Sequence, residues 1–416
     1  MKNYVWVILA AGLAMFWSCE ENTLDSVTTD GGTGQIVVDT LYATYDSTYA
    51  SAIRPSTLGV NQLQLGRRGG YKFRPIMRFF GLPEEPIELL SARIEFAVTG
   101  SSGSPTELTA RAHPIIDNWL TDTSRVWQDA DGNIDDNITL GEMQILFQNN
   151  SSDLAPTQQL VFNQTGLETV SAWADTTDST NYGLAIDFND ADMDYILKLQ
   201  ARSIQTPDTL GPALIYRYIA QSAPSDTLVD TLVAITDAFL VRNDFQPTPQ
   251  RLHTTPYANA RVSLLKFDLQ ELISRYPDGI IIETANLQLP IDWANTIIDD
   301  STGANLRLTA ADSVDSDSIA INSAYATNIN FTVDLRQISA DNLFLEVPEG
   351  EERRQLALRY AQTLLNVPDA FDYFYIDDKQ KDNYLSIFSF FTANAAAPAS
   401  RPRIIITSLR LPDERL

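Results

Sequence analysis

Residues 39–46 read Asp39-Thr40-Leu41-Tyr42-Ala43-Thr44-Tyr45-Asp46, and residues 230–237 read Asp230-Thr231-Leu232-Val233-Ala234-Ile235-Thr236-Asp237. The Asp-Thr-Leu run, an alanine and a second aspartate thus return at an offset of 191 residues. Four further matches follow in the same order. Ile76-Met77-Arg78-Phe79 returns as Leu264-Leu265-Lys266-Phe267, and Ser91-Ala92-Arg93-Ile94 as Thr284-Ala285-Asn286-Leu287. Leu184-Ala185-Ile186-Asp187 matches Phe374-Tyr375-Ile376-Asp377, and Ala213-Leu214-Ile215-Tyr216 matches Arg403-Ile404-Ile405-Ile406. Each match is short, but a shared order with a nearly constant offset marks an internal repeat.

The repeated unit reads as strands. Runs such as Gln62–Gly66, Phe73–Phe80, Leu90–Val98, Tyr182–Phe188 and Ala213–Tyr218 are rich in Val, Ile, Leu, Phe and Tyr. Clusters of Gly, Pro, Asn, Asp and Ser separate them, the pattern of an all-β sandwich. The expectation is two tandem jelly-roll-like β-sandwiches, residues 35–220 and 230–416. The Ser/Ala/Pro/Asp stretch Gln221–Asp226 lies in a linker over 221–229. In the second copy, Leu356, Leu358, Tyr360, Leu364 and Leu365 lie near helical spacing between Pro348 and Pro368, which predicts a helical insertion over Glu351–Leu365.

The N-terminal stretch reads as an export signal. Lys2 precedes an uncharged apolar run from Tyr4 to Trp17 that is short for a membrane span, which takes about 20 apolar residues. It ends in Ser18-Cys19, and Cys19 is the only cysteine of the 416 residues. Residues 1–19 are therefore expected to be a lipoprotein signal peptide, with Cys19 the lipidated residue. The Ser/Thr/Asp/Gly-rich residues 20–34 would be a flexible tether. Glu20 and Glu21 resemble the acidic signal of lipoproteins on the outer face of the outer membrane. The chain carries 54 acidic and 29 basic side chains, a formal net charge of −25. That balance lacks the basic footprint that nucleic acid requires.

The first copy runs through Ile76–Phe80, Leu82-Pro83, Ser91–Ile94, Asn118-Trp119-Leu120-Thr121 and Val126-Trp127. It continues through Ala172-Trp173, Asn181-Tyr182-Gly183-Leu184 and Gly211-Pro212-Ala213-Leu214-Ile215. This succession resembles the DNRLRE domain, a jelly-roll module of secreted and surface proteins, some of which bind acidic polysaccharides such as alginate. The second copy keeps Leu264–Leu269, Thr284–Leu289 and Arg401-Pro402-Arg403-Ile404-Ile405, without counterparts of Trp119, Trp127 and Trp173. The resemblance implies two tandem sandwiches, with binding centred on the first.

Catalytic constellations are sparse. His113 and His253 stand one per half without metal-ligand spacing, and no G-x-S-x-G elbow or phosphate-cradling loop occurs. A non-catalytic role is therefore expected. Trp119, Trp173 and Tyr182 could offer flat faces to sugar rings, although aromatics equally fill sandwich cores. Arg67, Arg68, Lys72, Arg74 and Arg78 form the one basic cluster, and strand alternation puts Lys72, Arg74 and Arg78 on one face. Such a face would be either a solvated exterior or a uronate- or sulfate-binding subsite. Asp129, Asp131, Asn133 and Asp135 make an oxygen-rich loop that suggests either Ca²⁺ or a polar Asx turn. The expected function is a surface lipoprotein that binds an acidic polysaccharide. The alternatives are an adhesin-like or structural component of a surface assembly that binds protein, and a carboxylate-based glycan-cleaving enzyme.

Overall fold

The computed structural model describes residues 35–50, 57, 60–103, 108–119, 133–147, 153–174, 181–188, 193–202, 211–256, 260–277, 279–298, 304–314, 319–321, 329–333, 344–346, 351–378 and 385–410. Cys19, the tether, Trp127, Asp129 and Asp131 lie outside them. The described residues begin with β1 (Gln35–Ala50), β2 (Gln62–Arg68), β3 (Tyr71–Arg78), β4 (Ile87–Gly103), β5 (Thr109–Pro114), β6 (Gly141–Gln144) and β7 (Thr157–Phe162). It continues with α1 (Gln164–Ala172), β8 (Leu184–Phe188), β9 (Tyr195–Gln200), β10 (Ala213–Ala220), β11 (Leu228–Val233) and β12 (Thr236–Asn243). Next come β13 (Arg251–Thr254), β14 (Arg261–Phe267), α2 (Gln270–Arg275), β15 (Ile280–Pro290), β16 (Ala304–Val314), β17 (Ile319–Ile321), β18 (Ile329–Val333) and β19 (Phe344–Glu346). The chain closes with α3 (Glu351–Leu356), a π-helical turn (Ala357–Ala361), α4 (Gln362–Asn366), β20 (Tyr373–Asp378), β21 (Phe388–Phe391) and β22 (Arg403–Arg410).

The fold is all-β with a helical segment over 351–366, as expected, but the sheets do not divide at 221–229. An eleven-stranded sheet holds β2–β12, a nine-stranded sheet holds β14–β20, β22 and β1, and β13 pairs with β21. The first of the described strands therefore belongs to the second half. Residues 35–42 of β1 pair with β22, and residues 43–50 pair with β14. Conversely, β11 pairs with β10, and β12 pairs with β3. The expected linker is the hairpin loop between β10 and β11, closed by Ala223 N–H to Ala220 O at 3.0 Å.

The repeat survives this correction residue by residue. Thr231 lies opposite Ile215 and Thr40 opposite Ile405, while Ala238 lies opposite Ile76 and Ser47 opposite Leu264. Each crossing strand passes from one neighbour to the other at the same place. There Ala234 N–H donates to Pro212 O and Ala43 N–H donates to Pro402 O, both at 2.9 Å. A strand that changes partners part-way along must break its ladder, and β1 does so by a register shift between Ala43 and Tyr45.

The first sheet closes on itself through β4–β7–β6–β5–β8–β3–β2–β9 and back to β4, which is long enough to pair with both β7 and β9. Inside lie Tyr71, Phe73, Met77 and Phe79, the face of β3 that alternation turns inward. The second core gathers Leu41, Phe267, Leu287, Ile404 and Ile406, with Leu356, Tyr360, Leu364 and Leu365 of the helical segment packed on them. Phe79 and Phe267 are both buried, at corresponding ends of β3 and β14. α1 stands at the matching place in the first half, just before β8 as α4 stands before β20, and is capped by the Asn163 side chain accepting from Gly166 N–H at 2.9 Å.

Candidate functional site

β3, β5 and β8 lie side by side and bring five charged or titratable groups together on their outer face. Lys72 and Arg74 come from β3, His113 from β5, Asp187 from β8 and Asp136 from the segment after β5. Gly183 allows β8 to start this close to β3: its φ is +91°, and a Cβ there would fall 2.0 Å from Met77 O. Asp187 is the hub. It ion-pairs with Arg74, with Lys72 at 3.2 Å and with His113 Nε2 at 3.5 Å. The other side of the Arg74 guanidinium holds Asp136, with Nη1 at 3.1 Å from Oδ1.

Burial by itself would raise the Asp187 carboxyl. The His113 hydrogen bond and the charges of Arg74 and Lys72 together outweigh burial and hold it well below the usual carboxylate range. Burial likewise lowers His113, but its bonds to Asp187 and to the Ile138 carbonyl, 2.9 Å from Nδ1, raise it above the ordinary histidine value. Both ring nitrogens face acceptors, so the doubly protonated imidazolium is the form this pocket favours.

Lys72 and Arg74 therefore do not present the open basic face that alternation suggested. Arg74 is 2% exposed because the segment after β5 folds over this side of the sheet. Ile115, Trp119 and Ile134 pack there on Ile76, Ala185, Ala238 and Leu240, with Tyr182 at the rim, as a second small core. Trp119 is 1% exposed and its Nε1–H donates to Tyr182 O at 2.7 Å, so its ring is a packing element and not a sugar platform. Trp173 is half-buried and stacks on Phe79 with centroids 6.5 Å apart. Arg68 donates to Ser102 Oγ at 2.7 Å, Arg78 lies over the Phe80 ring at 4.4 Å, and Arg67 is half-buried in β2. Lys72 and Arg74 thus share Asp187, while Arg68 and Arg78 have partners elsewhere.

His113, Asp136 and Asp187 place one nitrogen and two carboxylate oxygens within 4.8 Å of one another. Lys72 and Arg74 already neutralise both carboxylates, so a divalent cation there would face two fixed positive charges, and the geometry is that of an ion-pair network. In the oxygen-rich loop, Asp135 Oδ1 accepts from Asn137 N–H at 3.0 Å and from its side-chain amide at 3.2 Å, an Asx turn. Asn133 follows the outside stretch and its carbonyl accepts from Ile116 N–H at 2.8 Å. The roles of Asp187 and Asp136 were missed in the sequence. The available signal was a carboxylate in the otherwise apolar strand Leu184-Ala185-Ile186-Asp187-Phe188, which needs a partner when buried.

Among the described residues, two accessible surfaces bear on recognition. Along β11, Val229 is 63% exposed, and Val233 and Ile235 are exposed with Phe80 nearby, where Ile235 N–H donates to Arg78 O at 2.9 Å. Among the described residues, β11 pairs only with β10, which leaves its other edge open. Over β6 and β7, a shallow groove of about 670 Å³ is lined by Glu142, Gln144, Leu146, Gln159, Val161 and Asn163 among others.

No family model and no curated protein matches the chain. Among solved structures, it aligns at 8% identity with the C-terminal domain of the Streptococcus agalactiae AgI/II polypeptide BspA, covering 88% of this chain and 92% of that one at a TM-score of 0.17. The Macrobrachium rosenbergii nodavirus structure aligns at 10% identity over 93% of this chain and 92% of that one, at a TM-score of 0.11. At these scores neither likeness carries an argument about function.

Proposed function

We propose that the protein is a non-catalytic component of a cell-surface assembly, exported, held at the outer membrane by a lipid on Cys19, and recognising another protein along a sheet edge. The observation that carries this reading is β11. An edge strand offers a row of unpaired backbone donors and acceptors, and native proteins usually shield such edges with charge, bulges or covering loops. Here Val229, Val233, Ile235 and Phe80 add exposed apolar side chains to the rim, beside the exposed Asp230 and Thr231. An added partner strand would gain both a ladder and apolar burial. Binding of an acidic polysaccharide at Lys72 and Arg74 is disfavoured by comparison, because both cations already serve Asp187.

A photo-crosslinking residue at Val229 in the full chain, expressed on cells, tests the reading. The expected result is a discrete protein adduct that disappears when Val233→Lys is added. Absence of any Val229 adduct would contradict it. The groove over β6 and β7 favours a second reading, glycan recognition by Gln144, Gln159 and Glu142. Glycan-array binding abolished by Gln144→Ala with Gln159→Ala would support that reading in its place.

A further inference from the structure

We propose that the second sheet is a strand-acceptor site, and that residues 35–50 of a second copy of this chain fill it in exchange for the chain's own. The inference stands on strand topology and not on the reading of β11. The first unit is completed by β11–β12, the opening strand of the repeat that follows it. The second unit is completed by β1, which precedes the first unit in sequence and is the first of the described strands. In the first unit a hairpin loop joins β10 to β11. In the second, β22 and β1 pair with no hairpin loop running from one to the other, Gln35 lying opposite Arg410. A ladder of this form closes equally well on the opening strand of another molecule, the condition for domain swapping.

β1 is also separable. When it leaves, β14 keeps its pairing with β20 and β22 keeps its pairing with β15. Of its apolar side chains only Leu41 and Ala43 enter the second core, while Val38, Tyr42 and Tyr45 are exposed. Its polar anchors address this strand to this site. Asp39 pairs with Arg275 at 2.6 Å, and Thr48 Oγ1 accepts from His253 N–H at 2.9 Å. The matching residue of β11, Asp230, instead accepts from its own neighbour Thr231 N–H at 2.7 Å. The occupant that fits is therefore β1 itself, from this chain or from a second copy.

A cysteine pair reports which chain supplies the strand. Thr40 and Ile405 are opposed in an antiparallel ladder, where facing Cα atoms stand about 4.5–5.5 Å apart, within disulfide reach. Full chain carrying Cys19→Ser, Thr40→Cys and Ile405→Cys, in two differently tagged forms, is unfolded in urea, refolded together over a range of concentrations and oxidised. A tethered strand competes at an effective concentration of about 1 mM, so the ratio of interchain to intrachain bonds should rise about tenfold for each tenfold rise in protein concentration. The equivalent pair Thr231→Cys with Ile215→Cys, joined through the hairpin, should bond within one chain at every concentration. Only intrachain Thr40→Cys/Ile405→Cys bonds at all concentrations, or equal interchain bonding in the hairpin control, would overturn the proposal. Should the cysteine variants fail to fold, co-refolding the two tagged unmodified chains decides. A mixed-tag dimer that Leu41→Asp abolishes is expected, and monomer alone would refute the exchange.

Discussion

Asp46 and Asp237 occupy the same place in the two halves of the molecule. Asp237 accepts a hydrogen bond from Arg202 N–H at 2.7 Å, and Asp46 accepts one from Ala393 N–H, the residue 191 positions further on. Each aspartate sits on a crossing strand and ties it to the residue just beyond β9 or β21. The repeat therefore includes the polar anchors of the crossing strands as well as their apolar pattern. Burial raises both carboxyls against the pull of the accepted hydrogen bond, Asp237 to about 6.

That shift has a direction in stability. Asp237 titrates higher folded than its ordinary 3.8, so its contribution is full below pH 3.8 and is lost as pH rises through about 6. Asp237→Asn keeps an acceptor for Arg202 N–H without the buried charge. Urea unfolding should show the variant more stable than wild type at pH 7.5, by up to about 3 kcal/mol, with little difference at pH 3.5. A variant less stable at both pH values would contradict the assignment.

The Asp187 network predicts an asymmetry between its members. Asp187→Ala removes the buried carboxylate that Arg74, Lys72 and His113 share, leaving Arg74 with the exposed Asp136, and should cost about 3–5 kcal/mol. Lys72→Met removes a partner whose side chain is 26% exposed and should cost no more than about 1 kcal/mol. Equal losses in equilibrium unfolding would show that Asp187 is not the hub.

His113 acts in a higher pH window. Its folded value lies above the ordinary 6.5, so its stabilisation is present below pH 6.5 and is lost as pH rises through the folded value. Melting temperatures of wild type should fall from pH 6 toward pH 8 through this group, and His113→Gln should flatten that slope. An unchanged slope would place the titration elsewhere.

Much of the fold was legible in the sequence, and the reasons for the rest are physical. The five short matches lie at the offsets that the strand registers later display. The exchange of opening strands was not legible, because an offset of 191 is the same whether Asp39 pairs within its own half or in the other. Pairing partners are set by non-local ladders, and nothing local to residues 35–50 distinguishes β22 from β10. Alternation set Lys72, Arg74 and Arg78 apart on one face of β3, and the opposite face, with Tyr71, Phe73, Met77 and Phe79, is the one in the core. It failed at Arg74 because a strand covered on both sides has no solvent face, and the covering segment around Trp119 gives no periodic signal.

The anchor is tested at Cys19. Cys19→Ala should abolish labelling by a fatty-acid analogue and release the protein from membrane fractions, and persistent labelling would place the lipid elsewhere or nowhere.

The central claim is that β1, the first of the described strands, completes the second sheet and not the first. Native-state hydrogen exchange on wild type and Leu41→Asp tests it most directly, because Leu41 is 1% exposed and faces the second core opposite Ile404. The account predicts lost protection in β14 and β22, more than 200 residues away in sequence, with β2–β5 still protected. Lost protection in β2–β5 with β14 and β22 unchanged would contradict it.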